Sequence, residues 1–457
     1  MMTQHINLQL GWPSPSLFPA SQLLDGASSV LQSEKKTAAA LIYGPGCGYE
    51  PLRERIAAWL STSYSTTTPI SPERISVSNG ASANLGNILS KFTEPGYTRR
   101  IWMVEPSYFL ACPIFTDAGF EGRLRGVPED EEGLDIAFLH DALRKVETEG
   151  GHPEVPQAKT ASARYPKLYK HVIYAVPTFA NPSGKTMSLR RREELVRLAR
   201  EFDALVVTDD VYDVLRWPEG EDGDASKMPP IPPRIVDVDR VLDGGVKDEW
   251  GNAVSNGSFS KIIAPGVRTG WSEATPSFAL AMSTLGATKS GGCPSHLSAT
   301  FVEEMLSSGQ LEAHIRDTLI PTYRSRYNTL FKAIDEHLVP LGFQVSIGNP
   351  YEYHPAGATN GHSQSAAAVA GGYFTYLTIP SDVALGAEDL AAKALDKYNL
   401  RFAHGAMMTV EGDAGSVERA GKGYGRGIRL CWAWHTDEEI VEGIRRLAAL
   451  VKEVKRV

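Results

Sequence analysis

The spacing of apolar and polar positions divides the chain into segments of two periodicities. In EPLRERIAAWL, from Glu50, the residues Leu52, Ile56 and Leu60 share one face at helical spacing. Ile75–Ser78 and Ile101–Val104 are short apolar runs that read as strands, with a helix over Ser82–Phe92 between them. His171–Val176 and Ala204–Thr208 give two further strands. Between these two, Leu195, Leu198, Ala199 and Phe202 recur at i, i+3, i+4 and i+7, the pattern of an amphipathic helix. Strand–helix–strand at this spacing predicts right-handed crossovers in a largely parallel sheet, and so an α/β fold. Beyond residue 310 the pattern turns to long helices, then to a β-like run over Gly372–Ile379. The last helix starts at Thr436, with Glu439 completing a capping box, and buries Ile440, Val441, Ile444, Leu447 and Val451.

Other stretches break this rhythm. Residues 1–40 read as an extended arm, because Pro13, Pro15 and Pro19 forbid a regular helix there. Glu147–Ala163 is polar and carries two prolines. Pro218–Asn256 is acidic, then Pro-rich (MPPIPPR), then rich in Gly and Asp. Both are predicted as surface excursions. PAGATNGHSQSAAAVAGGYF carries a low-complexity insertion at 355–371. The division expected is an N-terminal arm (1–40) packing with a small domain, a large domain (41–315) and the small C-terminal α+β domain (316–457).

Composition narrows the field without choosing within it. At 457 residues, 42% hydrophobic and 22% charged, the chain suits two well-buried domains. A net charge of −8 without a basic run argues against nucleic acid as the main partner. Cys47, Cys112, Cys293 and Cys431 are scattered, so neither a metal cluster nor a disulfide framework is expected. The N-terminus lacks a signal-peptide pattern and no apolar run reaches membrane-spanning length; the expectation is a cytoplasmic protein.

Candidate chemistry gathers at strand ends. GSFSK (257–261) is followed by IIAPGVRTGW, placing Arg268 seven residues after Lys261. A lysine that forms Schiff bases needs an anchor for its cofactor's phosphate, and Ser258 with Arg268 would provide one. Standing alone, SFSK is usually explained by a surface lysine after a turn. Asp209 lies just past an apolar strand, at the edge where open α/β sheets bind ligands, and a carboxylate there would meet a protonated pyridine nitrogen. The plainer alternative is a helix N-cap, for which Asp210 is the better candidate. Tyr212, three residues on, would reach a ring oxygen. Asn181, in VPTFANPSG, lies one crossover before Asp209, although Asn-Pro-Ser-Gly by itself reads as a turn. The Ala81 and Ser82 amides, with the Ser82 hydroxyl, would form a phosphate cup after Gly80. Tyr108, in EPSYF, would stack on a flat ring or simply pack.

This combination resembles the class I/II aminotransferase family, the fold type I pyridoxal-phosphate enzymes. The resemblance runs over nearly the whole chain, through Tyr43-Gly44, Gly80-Ala81-Ser82, Tyr108, Asn181-Pro182-Ser183-Gly184, Asp209 with Tyr212, Ser258–Lys261, Arg268 and Arg429. It implies a large domain built on a mostly parallel, seven-stranded type of sheet. It also implies pyridoxal 5'-phosphate bound through Lys261, which would shuttle the Cα proton. Asp209 would hold the pyridinium, Asn181 and Tyr212 the ring oxygen, and Ala81, Ser82, Ser258 and Arg268 the phosphate, with Tyr108 stacking. In a homodimer, Tyr43 would reach the phosphate of the neighbouring subunit. Arg429, helped by the Gly11 backbone, would bind the substrate α-carboxylate. No metal is called for.

Transamination between an amino acid and a 2-oxo acid is the expected reaction. Carbon–sulfur β-elimination is the alternative, because fold and cofactor do not separate the two. A non-catalytic, pyridoxal-phosphate-binding regulator is a third reading, opposed by the complete residue set. The arm has no arginine before Arg53 to meet a second carboxylate, and Trp12 would line an apolar pocket or pack the arm. The general resemblance is to the aromatic, kynurenine and 2-aminoadipate aminotransferases, so aromatic or long-chain amino acids are the expected substrates.

Overall fold

The computed structural model describes residues 4–149, 156–346, 348 and 368–455. Seven strands build the large sheet: β1 (Ile75–Ser78), β2 (Arg100–Glu105), β3 (Leu124–Asp130), β4 (His171–Ala175), β5 (Ala204–Asp209), β6 (Ala253–Ser258) and β7 (Gly270–Glu273). Their order is β1-β7-β6-β5-β4-β2-β3, and the two-residue strand Gly133–Leu134 adds an eighth member beside β3. From β6 to β3 neighbours run parallel, while β7 is antiparallel to both β1 and β6.

Every residue of β4 and of β6 is buried, as parallel strands covered on both faces require. Strand alternation sorts their side chains into two cores. Ile101, Met103, Leu205 and Val207 pack on one face with Leu85, Ile88 and Phe92 of the helix Ala81–Phe92. Trp102, Ile173 and Val206 pack on the other with Leu195 and Ala199 of the helix Leu189–Glu201. Parallel packing thus points the C-terminal ends of β2, β4, β5 and β6 towards one edge.

A second sheet contains β8 (Gln344–Val345), β9 (Phe374–Thr378), β10 (Ala403–His404) and β11 (Gly427–Cys431), ordered β8-β9-β11-β10 and antiparallel throughout. The helix Asp437–Val454 packs against Ile320–His337 beside it. Thr436 and Glu439 form the capping box read from the sequence, and Val441 alone of the five expected core positions is only half-buried.

Three expectations are corrected. The extended arm ends at Pro19, since Ala20–Leu31 and Glu34–Leu41 are helices. The prolines all precede the first of these, and Pro19 takes its N-cap position, where a missing N–H costs little. Secondly, Pro218–Asn256 is no simple surface excursion. Arg216–Pro218 pairs with Val369–Gly371, and the helix Ile235–Val241 packs against Leu189–Glu201. Arg234 is fully buried there: Nε and Nη2 donate to Asp237 at 2.9 and 3.0 Å, and Nη2 donates to Glu273 at 2.6 Å. Charges neutralised in the core look like loop composition in a sequence. Thirdly, Asp210 caps no helix; its Oδ2 accepts from Thr208 and Ser255 at 2.7 and 2.6 Å.

Of the low-complexity insertion, 355–367 lies outside the described residues, as does 150–155 of the earlier polar stretch. Among the described residues, no helix is long and apolar enough to cross a membrane, and no group of three or more His, Cys, Asp or Glu could hold a metal. All four cysteines are free.

Removing one member of a buried ion cluster leaves the others uncompensated, which costs about 3–5 kcal/mol. Arg234→Gln is therefore expected to lower the urea unfolding midpoint markedly. An unchanged midpoint would show that Asp237 and Glu273 do not depend on it.

Candidate active site

The edge formed by the strand ends borders a cavity of about 480 Å³, closed on its other side by the N-terminal segment and the second sheet. Twelve of the thirteen candidate residues line it: Gly11, Trp12, Ala81, Ser82, Tyr108, Asn181, Asp209, Tyr212, Ser258, Lys261, Arg268 and Arg429. Tyr43 does not, and is 84% exposed on this chain.

Lys261 sits in the short helical turn Phe259–Lys261 that follows β6. Its Nζ donates to the Gly11 carbonyl at 2.8 Å and lies 5.5 Å from the centre of the Tyr373 ring. A Cβ at Gly11 would fall 2.5 Å from Phe374 Cζ, so only glycine lets the arm come this close. Burial of the ammonium lowers its pKa to about 8, with the Arg429 cation adding to that effect.

Asp209 ends β5 and pairs in register with Asn256 of β6. Asn256 Nδ2 donates to Asp209 Oδ1 at 2.8 Å and to the Ala81 carbonyl at 3.0 Å, while its own Oδ1 accepts from Asn84 at 2.9 Å. Tyr174 donates to Asp209 Oδ2 at 2.5 Å. Desolvation raises the carboxyl's pKa to about 6, against the opposing pull of these donors. A half-buried carboxylate with a raised pKa is stabilised in its charged form by a neighbouring cation.

The start of the helix Ala81–Phe92 faces the same cavity. Gly80 occupies its N-cap with φ +105° and offers no side chain to the first-turn amides. A Cβ there would lie 2.5 Å from Arg268 Nη2. Arg268 itself has φ +46° and is held by donation to the carbonyls of Asn79 at 2.7 Å and Pro265 at 3.0 Å. Ser258 Oγ donates to Ser260 Oγ at 2.8 Å.

Arg429 lies in the middle of β11, paired on both sides, and is 5% exposed. Nη1 donates to Asn181 Oδ1 at 2.8 Å and Nη2 to the Gln9 carbonyl at 2.6 Å, with the guanidinium 4.2 Å above the Phe374 ring. Its buried Nε has no hydrogen-bond partner among the described residues. Tyr212 is buried and packs 5.3 Å from Tyr373. Burial pushes the Tyr108 hydroxyl up to about 12, with Asp209 adding to the shift. Trp12 meets Trp434 edge-on at 6.2 Å and remains 58% exposed.

Asn256, Tyr174 and Tyr373 were not singled out from the sequence. Asn256 carried a usable signal, a polar residue inside the wholly buried strand AVSNGS. Tyr174 reads as one more apolar position in HVIYA, and Tyr373 as part of a strand.

The chain matches the family model described as aminotransferase class I and II over residues 18–447. An uncharacterized protein of Saccharomyces cerevisiae is 33% identical over 99% of this chain and 98% of its own length. The aromatic-amino-acid aminotransferase 1 of Thermococcus litoralis is 30% identical over 98% of this chain and 88% of that one. In structure the chain is similar to the kynurenine aminotransferase of Pyrococcus horikoshii, solved in complex with PMP and with KYN as substrate and KYA as product. The TM-score is 0.73 at 25% identity, covering 99% of this chain and 92% of that one. With its mostly parallel sheet, its cavity at the strand ends and a match over nearly its full length, this chain belongs to the class I and II aminotransferase family and is an aminotransferase.

Proposed function

We propose that the chain uses pyridoxal 5'-phosphate to move the α-amino group of an aromatic or long-chain amino acid, of the aromatic, kynurenine or 2-aminoadipate type, to a 2-oxo acid such as 2-oxoglutarate. One observation carries the reading. A single cavity holds the Lys261 amine, the Asp209 carboxylate and an Arg429 guanidinium whose Nε is unpartnered among the described residues.

The residues present fit the cofactor. An uncapped helix start, a bare Gly80 and the Arg268 guanidinium form a cradle for a phosphate, with the Ser82 and Ser258 hydroxyls beside it. Asp209 would hold a protonated ring nitrogen, Asn181 and Tyr212 the ring oxygen, and Tyr108 the ring face. When bound, pyridoxal phosphate supplies a ring that draws electrons away from the substrate Cα.

This chain's own part is proton handling and orientation. Lys261 would attach the cofactor, then, freed by the incoming substrate amine, take the proton from the substrate Cα and pass it to the cofactor carbon bonded to the amino nitrogen. Arg429 is already oriented by Asn181 and Gln9, so its remaining N–H groups would receive the α-carboxylate without reorganisation. Trp12, Phe109 and Leu110 line the cavity and would contact an apolar side chain. The name of the Thermococcus litoralis relative supports the aromatic assignment.

Leu41, Ile42 and Tyr43 are 62%, 66% and 84% exposed, an apolar run suited to burial against another chain. A homodimer covering it, with Tyr43 reaching the neighbouring phosphate, is part of the proposal.

The direct test is product analysis. An aromatic amino acid with 2-oxoglutarate is expected to yield glutamate and the matching 2-oxo acid; ammonia and pyruvate released from cysteine conjugates, with no glutamate, would overturn the reading. A second expectation concerns pH. Only the neutral Lys261 amine attacks the cofactor aldehyde, and its pKa is lowered from 10.5 to about 8. The rate of cofactor attachment to apoenzyme, followed by absorbance, is expected to climb to about pH 8 and level off above it. A rate still rising in proportion to hydroxide at pH 10 would contradict that environment.

A further inference from the structure

Among the described residues, four cationic side chains line the cavity against one carboxylate, Asp209. On the reading above, Lys261 attaches the cofactor, Arg268 meets its phosphate and Arg429 the α-carboxylate. Arg401 is left with no assignment. It is exposed, and its guanidinium has no hydrogen bond or ion pair among the described residues.

Its place follows from the pairing of distant segments. Asn7 pairs with Arg401, and Leu8 N–H donates to the Arg401 carbonyl at 2.8 Å. Two residues further along the arm, the Gln9 carbonyl accepts from Arg429. On the other side, Ala403 of β10 is the register partner of Arg429. Side chains two apart on an extended chain share a face, so Arg401 falls on the face of Ala403 and hence of Arg429. Two residues along a strand and one strand across separate the two Cα atoms by roughly 8–9 Å. Long arginine side chains bring the two forks within the span of one small molecule bearing a carboxylate at each end.

From this we infer that Arg401 binds the distal carboxylate of a dicarboxylic 2-oxo acid, and so selects the amino-group acceptor. The inference rests on the aminotransferase reading and adds to it the residue that recognises the second substrate. A planar guanidinium receives a carboxylate through two parallel hydrogen bonds. The arm supplies no arginine for this task; the C-terminal sheet region does. Because Arg401 stands at the solvent-exposed mouth, its contribution is screened and smaller than that of Arg429.

The test compares 2-oxoglutarate with 2-oxopentanoate, the same five-carbon chain without the second carboxylate. In the Arg401→Gln holoenzyme, the ratio of kcat/KM for the first to that for the second is expected to fall about tenfold, and Arg401→Lys to keep part of it. Calorimetric titration with glutarate and pentanoate reads the same contact without turnover: Arg401→Gln should weaken glutarate binding and leave pentanoate binding where it was. An unmoved acceptor ratio together with unmoved glutarate binding would overturn the assignment. Absence of amino transfer to either acceptor by the wild-type enzyme would instead sink the proposed function, while the titration would still report on Arg401.

Discussion

The hydrogen bond from Lys261 Nζ to the Gly11 carbonyl is the contact around which the site is organised. It brings an N-terminal segment that pairs with Leu400–Arg401 across the mouth of a cavity built by a different sheet. That closure leaves the lysine half-buried and partly desolvated. A lysine amine in bulk water is half neutral only near pH 10.5, whereas that of Lys261 is half neutral near pH 8. Gly11 is the sequence condition for it, since any Cβ would meet the Phe374 ring.

Asp209 answers the same constraint from the other side. It is half-buried and tied by Asn256 and Tyr174, and Asn256 also holds the Ala81 carbonyl at the start of the helix Ala81–Phe92. One amide thus fixes the separation between the carboxylate and the helix start. Arg429 is fixed in turn by Asn181, from the large sheet's edge, and by Gln9, from the arm. Three regions of the chain must be in place before the guanidinium points correctly, so positioning at this site is a property of the whole fold.

Much of this was legible in the sequence because the relevant residues stand at strand ends, where a charged or small residue interrupts an apolar run. Lys261, Asp209, Asn181 and Gly80 are of that kind, and all but Gly80 appear in the cavity lining itself. Residues whose role depends on pairing were not legible. Tyr174 and Tyr373 look like filler within strands. Arg401 gains its position only through a two-residue contact with a segment nearly four hundred positions away. Arg234 and its carboxylates imitate a loop, because hydropathy cannot distinguish a charge in solvent from a charge neutralised in the core. Pro13, Pro15 and Pro19 look incompatible with helix across the whole arm, but each restricts only the residues around it, and the helices begin after Pro19.

The central claim is that Lys261 is the cofactor's point of attachment, and chemical trapping tests it most directly. Holoenzyme loaded with pyridoxal phosphate, reduced with borohydride, digested and mapped by mass spectrometry should carry the pyridoxyl group on the peptide containing Lys261. A reduced adduct on any other lysine, or none at all, would contradict the account.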